Sequence, residues 1–121
     1  MPPLIAAESL EPEPPAGKAI PLPAPALDLV LARIRKVLCD PARFQIVRSL
    51  RDAELSVNQL AALIRRAPAA TSQHLRVLRE LGMVEGQRSG TTIYYRLRPG
   101  PATTQVESVI DVIERGAAAS A

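Results

Sequence analysis

The chain has 121 residues, of which 47% are apolar, 2% aromatic and 22% charged, with a formal net charge of +3. That length accommodates one domain, and with Phe44, Tyr94 and Tyr95 as the only aromatic residues the core has to be built from Leu, Ile, Val and Ala. No apolar run approaches the roughly 20 residues that span a bilayer, and Met1 to Leu10 lacks the basic and apolar regions of a secretory signal. Cys39, the single cysteine, excludes an intrachain disulfide framework and fits a reducing compartment, so the cytoplasm is the expected location.

Residues 1–26 read as an extended or disordered arm, since eight of the twelve prolines fall there and each fixes φ and removes an amide donor. From Leu27 the pattern becomes helical. Leu27, Val30, Leu31, Ile34 and Leu38 recur at i, i+3, i+4, i+7 and i+11, which predicts a first helix over 27–39. Asp40-Pro41 then supplies an N-cap and a first-turn proline for a second helix, with Phe44, Val47 and Leu50 inward and Arg43, Arg48 and Arg51 outward. After a break at Asp52 to Leu55, Ser56 caps a third helix with Gln59 in capping-box position; Val57, Leu60, Ala61 and Ile64 form its inner face. Pro68 opens a fourth helix, with Leu75, Leu78 and Leu81 inward and Gly82 as its stop.

Two strand-like runs follow, Met83 to Gln87 and Thr91 to Leu97, around a turn at Arg88-Ser89-Gly90. The last helix is predicted over 103–115, with Val106, Val109, Ile110 and Ile113 on one face, and 116–121 as a flexible tail. The order α-α-α-α-β-β-α is that of a winged helix-turn-helix, mainly α with a small β-hairpin, occupying 27–115. A domain this small buries a modest share of its surface, and pairing is a common remedy. The apolar stripes on the first and last helices (Leu27, Val30, Leu31 and Ile34 with Val106, Val109, Ile110 and Ile113) are the expected homodimer interface.

Charge is distributed unevenly. Seven arginines and two acids, Glu80 and Glu85, lie between Arg65 and Arg98, whereas the first fourteen residues hold Glu8, Glu11 and Glu13 and no base. A local excess of arginine suits a phosphate-facing surface, and it equally suits a solvated helical face. The fourth helix is more informative. Its first half is small and polar and its second half is apolar on one side, as a helix entering a groove by its N-terminus requires. Thr71, Ser72, Gln73 and His74 are the candidates for base edges or nearby phosphates, with Arg76 and Arg79 farther along for the backbone. Arg65 and Arg66 in the preceding turn, and Arg88, Ser89 and Thr91 in the wing, extend the candidate surface. Free amides and the positive dipole end at the helix start favour phosphate as well.

Three stretches give the chain a family likeness. Leu38-Cys39-Asp40-Pro41-Ala42-Arg43-Phe44-Gln45-Ile46-Val47, Glu54-Leu55-Ser56-Val57-Asn58-Gln59-Leu60-Ala61, and Ser72-Gln73-His74-Leu75-Arg76-Val77-Leu78-Arg79-Glu80-Leu81-Gly82-Met83-Val84 with Tyr94-Tyr95-Arg96-Leu97 resemble the ArsR/SmtB family of winged-helix repressors. The resemblance spans residues 27 to 115. It implies a dimer built from the first and last helices, with both recognition helices on one side of duplex DNA.

The departures are specific. Arg65-Arg66 stands where the family has a glycine and a hydrophobic residue, Ala67 stands at the usual Ser cap, and Ala69 and Ala70 replace polar base-contacting residues. One metal site of the family uses two cysteines at the positions of Ser56 and Asn58, neither of which offers a thiolate. Another uses Asp, His and Glu from paired last helices; here Glu107, Asp111 and Glu114 are present without a histidine. No metal and no cofactor is expected. His74 belongs to the helix-turn-helix in the matching position.

Cys39 reads as a small buried apolar side chain, a redox group being the alternative for it. No nucleophile–base pair, phosphate-binding glycine loop or metal cluster points to an enzyme. The expected function is a sequence-specific transcriptional regulator, a repressor occluding a pseudo-palindromic operator as a homodimer. A winged-helix module that binds protein, an architectural DNA-bending protein and a thiol-responsive repressor are the alternatives.

Overall fold

The computed structural model describes residues 24–120. The chain order is α1 (Ala24–Leu38), α2 (Pro41–Leu50), β1 (Leu55–Ser56), α3 (Val57–Ile64), α4 (Pro68–Glu80), β2 (Val84–Ser89), β3 (Thr92–Leu97) and α5 (Pro101–Ser120). Most of the expected arm lies outside the described residues. Its last three positions, 24–26, are helical, because Pro25 falls in the first turn of α1, where its missing N–H would have no partner in any case. At the other end, α5 continues through Gly116 to Ser120 rather than ending at Arg115. Ala117, Ala118 and Ala119 have the highest helix propensity of any residue type and carry the helix on.

Local signals fix the ends of α2 and α3. Asp40 Oδ1 accepts from the amides of Ala42 and Arg43 at 3.0 and 3.2 Å, with Pro41 opening α2. At α3 the capping box is reciprocal: the Gln59 amide donates to Ser56 Oγ at 3.2 Å, and the Ser56 amide donates to Gln59 Oε1 at 2.9 Å. Each such cap is worth about 1 kcal/mol. Gly82 follows α4 at φ +77°, the left-handed position that ends a helix without a Cβ penalty.

The core is aliphatic. Val37, Ile46, Val47, Leu50, Leu60, Leu75, Leu78, Met83, Val84, Val106 and Ile110 form one buried cluster, with Tyr95 and Phe44 packed against it from the side. Phe44 is only partly buried, and Ile46 takes the inward place in α2. The sheet is three-stranded and antiparallel in the order β1-β3-β2. The two-residue β1 was not expected from sequence; Leu55 pairs with Tyr95 and Ser56 with Tyr94, which ties the start of α3 to the wing.

In the β2–β3 hairpin Ser89 pairs with Thr92, so the turn is Gly90-Thr91, one residue later than expected. Gly90 (φ +65°) supplies the left-handed backbone there, and Arg88 and Ser89 are strand residues. No helix among the described residues is long and apolar enough to cross a membrane.

Candidate nucleic-acid interface

Helices α3 and α4 are joined by Arg65-Arg66-Ala67. Arg65 caps α3 in the left-handed conformation, φ 56° and ψ 49°, and is the only non-glycine described residue with positive φ. For an L-residue that conformation costs about 1–2 kcal/mol, and it turns the chain sharply enough to start α4 three residues later. Ala67, at the N-cap of α4, makes no side-chain cap, so the first-turn amides have no side-chain acceptor.

The phase of α4 divides its residues. Thr71, Leu75 and Leu78, at i, i+4 and i+7, are the buried side, while Ala69, Ser72, Gln73, Arg76, Arg79 and Glu80 are exposed. Thr71 is therefore removed from the candidate contacts. It is fully buried, and its Oγ1 donates to the Ala67 carbonyl at 3.0 Å, so it holds the first turn in place of the missing cap. The signal was present in the sequence, since Thr71 shares the leucine periodicity. Ser72 and Gln73 stand on the outward stripe. His74 lies between the two sides, half-buried, with Nδ1 enclosed and without a partner.

The arginines sort by partner. Arg96 Nε is 2.8 Å from Glu85 Oε1, and Arg96 Nη1 is 3.7 Å from Glu54 Oε1, so its charge is met within the sheet. Arg76 pairs with Glu80 at 3.3 Å; both side chains are about two-thirds exposed, and such a surface pair is worth at most a few tenths of a kcal/mol and yields readily to phosphate. Arg65, Arg66, Arg79, Arg88 and Arg98 are exposed and have no carboxylate at ion-pair distance among the described residues. Ser89 and Thr91 are exposed at the wing tip.

The expected dimer stripe is likewise divided. Val106 and Ile110 are fully buried in the protomer's own core, and Ile34 packs against that core, because α5 lies along α1 and needs these residues to hold it there. Val30 and Val109 are half-buried. The apolar side chains left exposed on these two helices are Leu27, Leu29, Leu31, Val112 and Ile113, at 44, 53, 53, 59 and 44%; Leu29 and Val112 were not singled out from sequence. Cys39 is exposed at the end of α1 rather than a small buried side chain.

A tri-helical core carrying a polar-faced second helix and a hairpin beside it defines a winged helix-turn-helix regulator. A family model described as "Bacterial regulatory protein, arsR family" matches residues 40–86. The HTH-type transcriptional regulator KmtR of Mycobacterium tuberculosis is 43% identical over 77 residues, which cover 64% of this chain and 58% of that relative's length. The biofilm growth-associated repressor of Agrobacterium fabrum is 36% identical over 91 residues, 73% of this chain and 78% of that protein. Among solved structures, a homodimeric winged helix-turn-helix DNA-binding domain from Mycobacterium bovis superposes with a TM-score of 0.63 at 29% identity, covering 83% of this chain and 90% of that one. The chain belongs to the ArsR family of winged helix-turn-helix transcriptional regulators.

Proposed function

We propose that the protein binds a pseudo-palindromic duplex operator as a homodimer and represses transcription by occluding the promoter. The observation that carries this reading is the outward stripe of α4, Ser72-Gln73-Arg76-Arg79, preceded in the chain by the exposed Arg65 and Arg66 and followed by the exposed Arg88. Gln73 and Ser72 suit base edges, Arg79, Arg88 and the turn arginines suit phosphates, and His74 presents its ring at the edge of the same surface. Ser89 and Thr91 give the wing tip short hydrogen-bonding groups for the flanking backbone. Leu27, Leu29, Leu31, Val112 and Ile113 supply the apolar surface through which two copies join, with Val30 and Val109 at its margin. A homodimeric relative of the same fold supports the pairing of two copies.

The same reading assigns no metal-sensing role. At the thiolate positions, Ser56 and Asn58 are not soft-metal ligands, and the Ser56 hydroxyl is engaged by the Gln59 amide. On α5, Asp111 and Glu107 face Arg51.

Selection of bound fragments from genomic DNA, followed by footprinting, tests the proposal. The expected product is a site with two half-sites about 10 base pairs apart, bound at least about a thousandfold more tightly than random duplex, with affinity unmoved by zinc. A purified protein with no preference for any duplex over bulk competitor would point instead to a protein-binding winged helix, which the exposed alanines 69 and 70 at the helix tip would suit.

A further inference from the structure

The end of α2 and the middle of α5 are joined by charge. Glu107, Asp111 and Glu114 recur at i, i+4 and i+7 and so line one side of α5. All three meet one guanidinium. Arg51 Nη2 donates to Asp111 Oδ1 at 2.6 Å, its Nε lies 3.5 Å from Glu107 Oε1, and its Nη1 lies 4.0 Å from Glu114 Oε1. Arg48 Nε adds a contact to Glu114 Oε1 at 3.2 Å. The Arg51 side chain is 26% exposed against 53% for Arg48, so Arg51 is the more enclosed of the two. The hydrogen bond that Arg51 donates to Asp111 and the nearby carboxylates raise the pKa of Arg51 further, against a smaller opposing effect of burial. With Asp52, these groups line a cleft of about 480 Å³.

The carboxylates are spread around the guanidinium fork, one to each nitrogen, and among the described residues no group of three His, Cys, Asp or Glu converges as an ion's ligands would. The contacts also connect distant parts of the fold. Arg51 caps α2, α2 packs on α4, and α5 packs on α1.

We propose that Arg51 is a positioning residue for DNA recognition, gathering the α5 carboxylates onto the end of α2. By holding α5 to α2, it sets the angle between the helices that join two copies and the α4 that each copy offers to DNA. This rests on the proposed dimer and its operator.

Full-length wild type, R51M, R51K and D111N test it, with three readouts: affinity for the selected operator, preference among duplexes whose half-site spacing differs by single base pairs, and amide exchange of α5 in the free protein. R51M loses at least about fivefold in affinity, within the usual range for coupled sites, its spacing preference broadens, and its α5 amides exchange faster. R51K recovers part of the affinity, since a lysine supplies a point charge without the fork, and D111N, which keeps Arg51 and the fold, shows a smaller loss with the same broadening.

Retention of wild-type affinity and spacing preference by both R51M and D111N would overturn the proposal. If wild type binds no duplex at all, the operator reading fails separately, and α5 amide exchange left unchanged by R51M would still overturn the Arg51 link.

Discussion

The two ends of this molecule leave different things unsatisfied. Around α4 and the wing the exposed side chains are mostly polar, among them Ser72, Gln73 and the carboxylate-free Arg79 and Arg88, with Ile93 an apolar exception on β3. On α1 and α5 the exposed side chains include five large apolar ones, Leu27, Leu29, Leu31, Val112 and Ile113. Water solvates the first set at little cost, so its arginines are held ready for a polyanion. The second set is apolar and gains from leaving water at about 25 cal/mol per Å², which a second copy of the same face provides. The same core supports both ends: Leu75 and Leu78 anchor α4, Val106 and Ile110 anchor α5, and each helix turns its remaining side outward. A side chain in either helix can serve the core or a partner, but not both, which is why Thr71, Val106 and Ile110 drop out of the binding surfaces.

The contrast is broken most severely at the apolar end. Placing carboxylates there with L31D and I113D together is expected to give a folded monomer by sedimentation, with operator affinity lower by at least about a hundredfold, as the second half-site no longer contributes through linkage. A dimer with unchanged binding would show that two copies meet elsewhere. At the polar end, Arg79→Ala and Arg88→Ala should each weaken specific and random duplex alike and reduce the slope of log K against log salt by about 1. Gln73→Ala should act otherwise, costing about 1–3 kcal/mol on the operator and relaxing selection at one position per half-site while leaving the salt slope alone. Should Gln73 and Arg88 variants lose affinity equally on every duplex, the division into base-reading and phosphate-holding residues is wrong.

Features written within four residues of each other were legible in the sequence. The Asp40 cap, the Ser56–Gln59 box, the Gly82 stop and the missing cap at Ala67 follow from local hydrogen-bond chemistry and appear as read. Features that depend on contacts between distant segments were not. Arg51 reads as an outward, solvated residue on α2, and Glu107, Asp111 and Glu114 read as a solvated face of α5; their meeting spans 60 positions for the Arg51–Asp111 pair. The two-residue β1 has no periodicity to detect, and only its pairing with Tyr94 and Tyr95 reveals it. Thr71 is an intermediate case. Its polarity suggested an outward role, yet its spacing from Leu75 and Leu78 already placed it on the buried stripe, and helical phase outweighed residue type.

The smallest expected effect concerns the junction where the polar end begins. Ala67 leaves α4 without a side-chain cap, and Thr71 Oγ1 bonds back to the Ala67 carbonyl. Ala67→Ser should supply an acceptor for the first-turn amides and stabilise the fold by about 1 kcal/mol, seen as a rise in thermal midpoint of about 4–8 °C for a domain of this size. Operator affinity should stay within about twofold, because the outward stripe through Ser72, Gln73 and Arg76 keeps its phase and its side chains. A matching rise in stability with a clear loss of affinity would mean that the uncapped amides themselves hold a phosphate. The helix start, rather than the stripe behind it, would then be the principal contact at this end of the molecule.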